Sequence, residues 1–215
     1  MALAPLLLIS YLVGAIPTGF IVGKLLRNID IRHHGSGNLG GTNVWRVLGP
    51  KAGAFVLGCD IGKGYLVVAI IAQIRFTPLL LDYAVVAILC GLAAIIGHVF
   101  PIYLQLRGGK GVATTGGVMI ALAPLPTAIS IGLFAVILTS TGYVALGSII
   151  AACLLPISLV IFNRFTGLQF HPLLIGFTTA LALFILFNHR RNIARLLAGK
   201  ENRFERAMIW RRLFR

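Results

Sequence analysis

The sequence predicts an all-α integral membrane protein with seven transmembrane helices, its N-terminus outside and its C-terminus in the cytoplasm. Three observations lead there. Of 215 residues, 58% are hydrophobic and 11% charged, too apolar for a core wrapped in a charged, water-facing shell. Several apolar runs approach or exceed the roughly 20 residues that a spanning helix needs. The net charge of +14 sits at the ends of those runs, as expected of cytoplasmic loops and of contact with anionic headgroups. Basic residues that flank apolar runs, rather than forming a stripe of their own, argue against a nucleic-acid partner and for membrane lipid as one.

The runs that qualify are residues 2–23, 52–74, 79–104, 143–162 and 172–188. The first has no Lys or Arg ahead of it and so lacks the charged start of a signal peptide, which makes it the first retained helix. The stretch 112–140 is longer than one span needs and is interrupted by Pro124 and Pro126; it reads as one kinked helix or as two short ones. Loop charge separates the two. With two helices, one side collects Lys24, Arg27, Arg32, Arg46, Lys51, Arg107, Lys110 and the nine basic residues from Arg190 to Arg215, leaving Arg75 and Arg164 on the other. A single helix would move the basic tail outside, against the positive-inside bias. The sequence has no internal repeat of the kind on which many transporters are built.

Within the spans, Asp60 and Lys63 stand at i, i+3, where mutual pairing is the default account of charge in hydrocarbon. His98, near the end of the third span, reads equally as site or as scaffold. Cys59, Cys90 and Cys153 lie in apolar runs without zinc or disulfide spacing and read as small hydrophobes. The five acidic residues do not cluster, so neither a metal nor a cofactor is expected.

Two inward-facing loops differ from ordinary connectors. Between Lys24 and Lys51 lie Ser36, Gly37, Asn38, Gly40, Gly41, Thr42, Asn43 and Arg46. Glycines free the backbone to aim N–H groups at one point, the polar side chains add donors, and Arg46 adds charge, which suits a phosphate. The competing reading is a flexible connector, because Gly, Ser and Asn are also turn residues. The second loop, Arg107 to Thr114, carries Gly108, Gly109, Lys110 and Gly111 into the start of a helix, where orphan N–H groups and the helix dipole favour an anion. It reads otherwise as an interfacial turn with a snorkelling lysine. Neither loop fits the ATP-binding GxxxxGK[ST] pattern.

A third cluster follows the last span: His189, Arg190, Arg191, Asn192 and Arg195. If the helix continues, His189, Asn192 and Arg195 share a face; read alone, the cluster is an ordinary basic anchor. Beyond Gly199 the chain runs into a basic tail in which Phe204, Ala207, Met208, Trp210 and Phe214 can share an apolar side, as in an interfacial helix; the competing reading is a disordered tail. The expected division is a membrane domain at 1–204 and a tail at 205–215.

Three stretches, SGNLGGTNVWRVLG, GGKGVAT and HRRNIARLLAGKENRF, occur in an order and spacing that resemble the acyl-phosphate:glycerol-3-phosphate acyltransferase family of bacteria, the PlsY type. The resemblance implies a seven-helix inner-membrane enzyme with its active site toward the cytoplasm. It would move an acyl group from acyl phosphate to the first hydroxyl of glycerol 3-phosphate, giving lysophosphatidic acid and phosphate in the first step of phospholipid synthesis. It further implies a catalytic set of Ser36, Arg46, Lys110, His189 and Asn192. Gly37, Asn38, Thr42, Asn43, Gly108, Gly109, Gly111 and Thr114 would bind substrate phosphate, and Glu201 would maintain the site's integrity. Acyl phosphate is already activated, so orientation and charge stabilisation can carry much of the rate without a nucleophilic side chain. The rival readings are an anion transporter, disfavoured because all three motifs face one side, and a lipid-binding scaffold.

Overall fold

The computed structural model describes residues 3–74 and 81–208. Ala2, Arg75, Leu79, Trp210 and Phe214, which enter the span and tail assignments, lie outside them. The described chain forms ten α-helices joined by short turns and 3-10 segments, as an all-α membrane protein should.

The chain divides into two compact units, residues 1–122 and 123–215. In the first, the opening apolar run is two helices, α1 (Leu3–Ala15) and α2 (Thr18–Arg27). Pro17 has no N–H and cannot continue the ladder, so the run breaks before Thr18. Next come α3 (Gly41–Leu48), α4 (Pro50–Ala69), α5 (Tyr83–Val99) and α6 (Val112–Leu122). Helix α3 departs from expectation, because the second half of the glycine-rich loop folds as a helix. Helix α4 packs on α3, α5 and α6, and α1 packs on α5. Glycines permit close approach in both pairings: a Cβ at Gly14 would run into the Ala94 carbonyl of α5, and one at Gly64 into the Thr114 carbonyl of α6, as small residues do where membrane helices meet.

The second unit comprises α7 (Pro124–Thr141), α8 (Val144–Phe165), α9 (Pro172–Asn188) and α10 (Arg190–Leu197). Helix α8 packs against α7 and α9. Helices α6 and α7 are separate, as the prolines at 124 and 126 and the charge balance require. The C-terminal segment is not an interfacial helix as far as it is described. Phe204 is buried and its N–H donates to the Gly142 carbonyl at 2.7 Å, and Glu205–Ala207 is a single 3-10 turn. This segment is tied down by backbone pairing instead.

Polarity is distributed inside out. Large side chains such as Leu8, Phe55, Ile129, Val160 and Leu183 are exposed, whereas Ser10, Asp60, Lys63, Ser130, Ser158 and Thr178 are buried. A helix surface apolar all round suits lipid rather than water. Among the described residues, five stretches are long and apolar enough to cross a membrane: Leu3–Arg27, Pro50–Gln73, Tyr83–Leu104, Pro124–Thr141 and Val144–Phe165. Helices α9 and α10, bent by 60° at their junction, make a sixth if taken together. Helix α6 has 11 residues, about 16 Å of helix against a hydrocarbon core of about 30 Å.

Candidate active site

The first glycine-rich stretch is organised from within. Asp30 caps a 3-10 turn over Ile31–His33: its Oδ1 accepts the Arg32 N–H, and the Arg32 guanidinium grips both carboxylate oxygens, with Nη2 at 2.7 Å from Oδ2. Arg32 also stacks over the Phe20 ring of α2, 5.5 Å from its centroid. The guanidinium beside Asp30 holds its carboxyl down at about 2. Beyond that turn, Gly35 and Gly37 take positive φ, which only glycine adopts freely. The chain thus curls back over Asn43 in the first turn of α3.

Asn43 is 1% exposed. Its Oδ1 accepts the Ser36 N–H at 2.7 Å, and its Nδ2 donates to the carbonyls of Ile31, His34 and Asn38 at 3.3, 2.9 and 2.9 Å. With donor and acceptor both engaged by backbone, Asn43 shapes the loop and is not available as the direct phosphate contact expected of it. Ser36 and Gly37 are exposed at the loop's rim, and Thr42 and Arg46 are half-buried on α3, one helical turn apart.

The second loop doubles back on the helix before it. After α5 the chain passes through Gln105 and Leu106, both at positive φ, an uncommon conformation for such residues. The N–H groups of Gly108 and Gly109 then donate to the carbonyls of Val99 and His98, at 3.0 and 3.1 Å. These are the orphan acceptors at the end of α5. Gly108 and Gly109 therefore cap a helix, and their amides do not cradle an anion. A Cβ at Gly109 would collide with the His98 ring, so the glycine is required there by packing. Gly111, at φ +83°, turns the chain into α6. The loop's other donors suited to an anion are the Lys110 ammonium and the first-turn amides of α6, which no intrahelical acceptor can take. Thr114 does not contribute a hydroxyl from the surface. It is fully buried where α6 meets α4, and its Oγ1 has no hydrogen-bond partner among the described residues.

The two loops meet. A small cleft with room for about one water molecule, partly open to solvent, is lined by Thr18 and Gly19 of α2, Leu39 of the first loop, Asp60 of α4, His98 of α5 and Gly109 of the second loop. Asp60 pairs with Lys63 at 2.9 Å, His98 Nδ1 stands 3.6 Å from Asp60 Oδ1, and Lys63 Nζ donates to the Ile16 carbonyl at 3.0 Å. All three side chains are less than a tenth exposed. The i, i+3 pairing expected of Asp60 and Lys63 is present. Its extension to His98, and its position at this cleft, were not expected, although three ionisable residues in apolar spans were a signal for both.

The third cluster lies in the second unit. His189 ends α9 and is 3% exposed, its Nδ1–H donating to the Ile185 carbonyl at 2.8 Å. A carbonyl can only accept, so Nδ1 carries the proton. The helix does not run on through this point as the shared-face reading assumed. It bends by 60°, and His189 sits at the bend. Asn192 and Arg195 do share a face of α10, where both donate to Glu201, each at 2.7 Å. Arg190 stacks on the Phe187 ring, 4.3 Å from its centroid.

A family model described as glycerol-3-phosphate acyltransferase matches residues 4–199. The chain belongs to this family. Glycerol-3-phosphate acyltransferases of Chlorobium phaeobacteroides and Bacillus velezensis are 41% and 42% identical to it, over 95% and 94% of this chain and 97% of each relative. That of Salinibacter ruber is 42% identical over 94% of this chain and 92% of its own. The crystal structure of PlsY (YgiH), an integral membrane glycerol 3-phosphate acyltransferase, in its glycerol 3-phosphate form superposes with a TM-score of 0.81. It shares 31% identity with this chain, and the match covers 99% of both. Its lysophosphatidic acid form gives 0.76, with 94% of both chains covered.

As a glycerol-3-phosphate acyltransferase, the chain is a membrane-integral enzyme whose matched region takes in both glycine-rich loops, His189, Asn192 and the Asp60 cluster. Glu201 falls just beyond that region. Among the described residues no three His, Cys, Asp or Glu side chains come together as a metal site.

Proposed function

We propose that this acyltransferase moves an acyl group from acyl phosphate to the sn-1 hydroxyl of glycerol 3-phosphate, releasing lysophosphatidic acid and phosphate. The observation that carries the reading is the shared cleft of the two glycine-rich loops, with Lys110 and the N-terminus of α6 beside it. Both substrates bear phosphate, and this is the part of the chain with cationic and amide donors for one.

In the reaction the acceptor oxygen attacks the acyl carbonyl carbon, the bond from that carbon to the phosphate oxygen breaks, and phosphate leaves with the bonding pair. The acceptor proton passes to His189 Nε2 or to the departing phosphate. No side chain becomes acylated, so trapping an acyl-enzyme on Ser36 would sink this scheme. Lys110 and Arg46 neutralise phosphate charge and Ser36 contacts it from the loop rim. Asn38, Thr42, Gly37 and Gly111 shape or line the phosphate site, and Asn192, held by Glu201, serves the reaction beside His189. Asn43, Gly108, Gly109 and Thr114 act through structure.

Seven crossings remain the arrangement that best balances the loop charges: α1 with α2, α4, α5, the short α6, α7, α8 and α9. The N-terminus is then outside, and all three motifs face the cytoplasm of a bacterial inner membrane. Helix α6 is too short to reach both surfaces alone and relies on protein around it. Residues 1–204 act as the acyltransferase domain, and 205–215 as a basic appendage to it.

The test is release of inorganic phosphate by the purified, detergent-solubilised enzyme given acyl phosphate, with and without glycerol 3-phosphate, for the wild type and Lys110→Ala. Release that needs the acceptor and is lost in the variant supports the reading. Release indifferent to the acceptor removes it.

A further inference from the structure

Three ionisable side chains buried among apolar helices carry a cost that an apolar trio would not, and the proposed reaction uses none of them. Their connections run in one direction. Lys63 fastens α4 to the helix break at Ile16, Asp60 Oδ1 meets both the ammonium and the His98 ring, and His98 carries the second glycine-rich loop. His98 holds that loop twice: its carbonyl accepts the Gly109 N–H at 3.1 Å, and its ring packs where a Cβ of residue 109 would be. Lys110 is the next residue.

We propose that Asp60, Lys63 and His98 form a positioning device for the second glycine-rich loop, fixing Lys110 and the start of α6 against the substrate's phosphate. His98, whose ring lines the cleft against Gly109, acts on the reaction through Gly109 and Lys110. Asp60 sets the ring's orientation, and Lys63 compensates the carboxylate and ties it to α1 and α2. The proposal rests on the reading of Lys110 as a phosphate-binding residue. It adds three residues that do their part through Lys110.

A positioning role has a kinetic signature. Loosening the loop weakens the hold on one phosphate without removing the group that makes it, so KM moves more than kcat. For His98→Leu we expect the KM of one substrate to rise about tenfold with kcat within about threefold, as loss of a ground-state contact predicts. That substrate is the one whose KM also responds to Lys110→Arg. His98→Asn, whose amide can place an N–H near the position of Nδ1, should return KM to within about threefold of wild type. A side chain that merely filled space would show no such rescue, since Asn packs worse than Leu.

Steady-state kinetics of the full-length enzyme, varying each substrate in turn, decides the matter on variants that elute as monodisperse protein. A folded His98→Leu with wild-type KM for both substrates overturns the proposal, as does a fall in kcat alone. If His98→Leu does not fold, Asp60→Asn with Lys63→Met removes both charges together, and an unchanged KM in that protein is equally decisive. Lys110→Ala is measured alongside. Wild-type kinetics there would overturn the site reading itself, whereas loss there with an unaffected His98→Leu overturns only the positioning role.

Discussion

Asn43 Oδ1 accepts the backbone N–H of Ser36 at 2.7 Å, so the residue at the rim of the first loop is set by an amide buried beneath it. Asn43→Asp keeps that acceptor and removes both donor protons, placing a carboxylate against the carbonyls of Ile31, His34 and Asn38. We expect kcat/KM to fall at least about a hundredfold, because a buried charge loses its partners, and Asn43→Ala to do less harm. Assay of both variants at equal folded fraction checks the order. An Asp variant as active as wild type would mean that the loop does not depend on this amide.

His189→Asn should separate chemistry from architecture. The Asn amide can replace the Nδ1–H donation to Ile185, preserving the bend between α9 and α10, while the Nε2 acceptor is lost. If His189 takes the acceptor proton, kcat falls by about two to four orders of magnitude with KM within a few-fold. If kcat is unaffected, the proton goes to the departing phosphate.

The Asp30–Arg32 pair gives the first loop a dependence on acid. Asp30 titrates at about 2 rather than the usual 3.8, so its folded-state pKa is depressed. The pair's stabilisation is fully present above pH 3.8 and is lost as the pH falls through about 2. Both side chains are partly exposed, which limits the pair to less than about 1 kcal/mol. Protease cleavage between residues 28 and 40 should accelerate as the pH is lowered from 5 to 2 in wild type and show a shallower dependence in Asp30→Asn. Identical profiles would rule out a role for this carboxylate.

Glu201 accepts from Asn192 on one oxygen and from Arg195 on the other. Glu201→Gln retains one acceptor and sets an N–H2 against the guanidinium. A loss of about 1–3 kcal/mol in stability is expected from the unpaired cation, together with lower activity. Double substitution with Arg195→Met should recover part of both, read by thermal unfolding in detergent and by phosphate release. A double variant no better than Glu201→Gln would leave the Arg195 contact without weight.

The spans were legible because apolar runs and flanking charge are statements about each segment by itself. The break between α6 and α7 was legible for the same reason, since Pro124 cannot continue a helix. Helix α3 was not, because GGTN reads as turn chemistry, and the apolar spacing of Val44, Val47 and Leu48 that supports a helix is only one turn long. The motifs pointed to phosphate chemistry, yet not to which of their atoms the fold takes for its own hydrogen bonds. That the Gly108 and Gly109 amides cap α5 depends on the chain doubling back through Gln105 and Leu106, two residues with no preference for positive φ. The pairing of His98 with Asp60 joins side chains of different spans, and nothing in either segment names the other.

The Lys63 contact with the Ile16 carbonyl bears on how the protein is made. In an unbroken helix that carbonyl would accept the amide of residue 20; here Pro17 ends α1, and the ammonium that helps satisfy it comes from 47 residues further along. A nascent chain that has delivered only its first span leaves that carbonyl with the Thr18 N–H as donor, at 3.1 Å, and without the ammonium. One that has delivered Lys63 without α1 leaves the ammonium with its i, i+3 partner Asp60 and without the Ile16 carbonyl. Each segment gives the other's polar group a further partner, so docking of α4 against the break between α1 and α2 completes the hydrogen bonding of both.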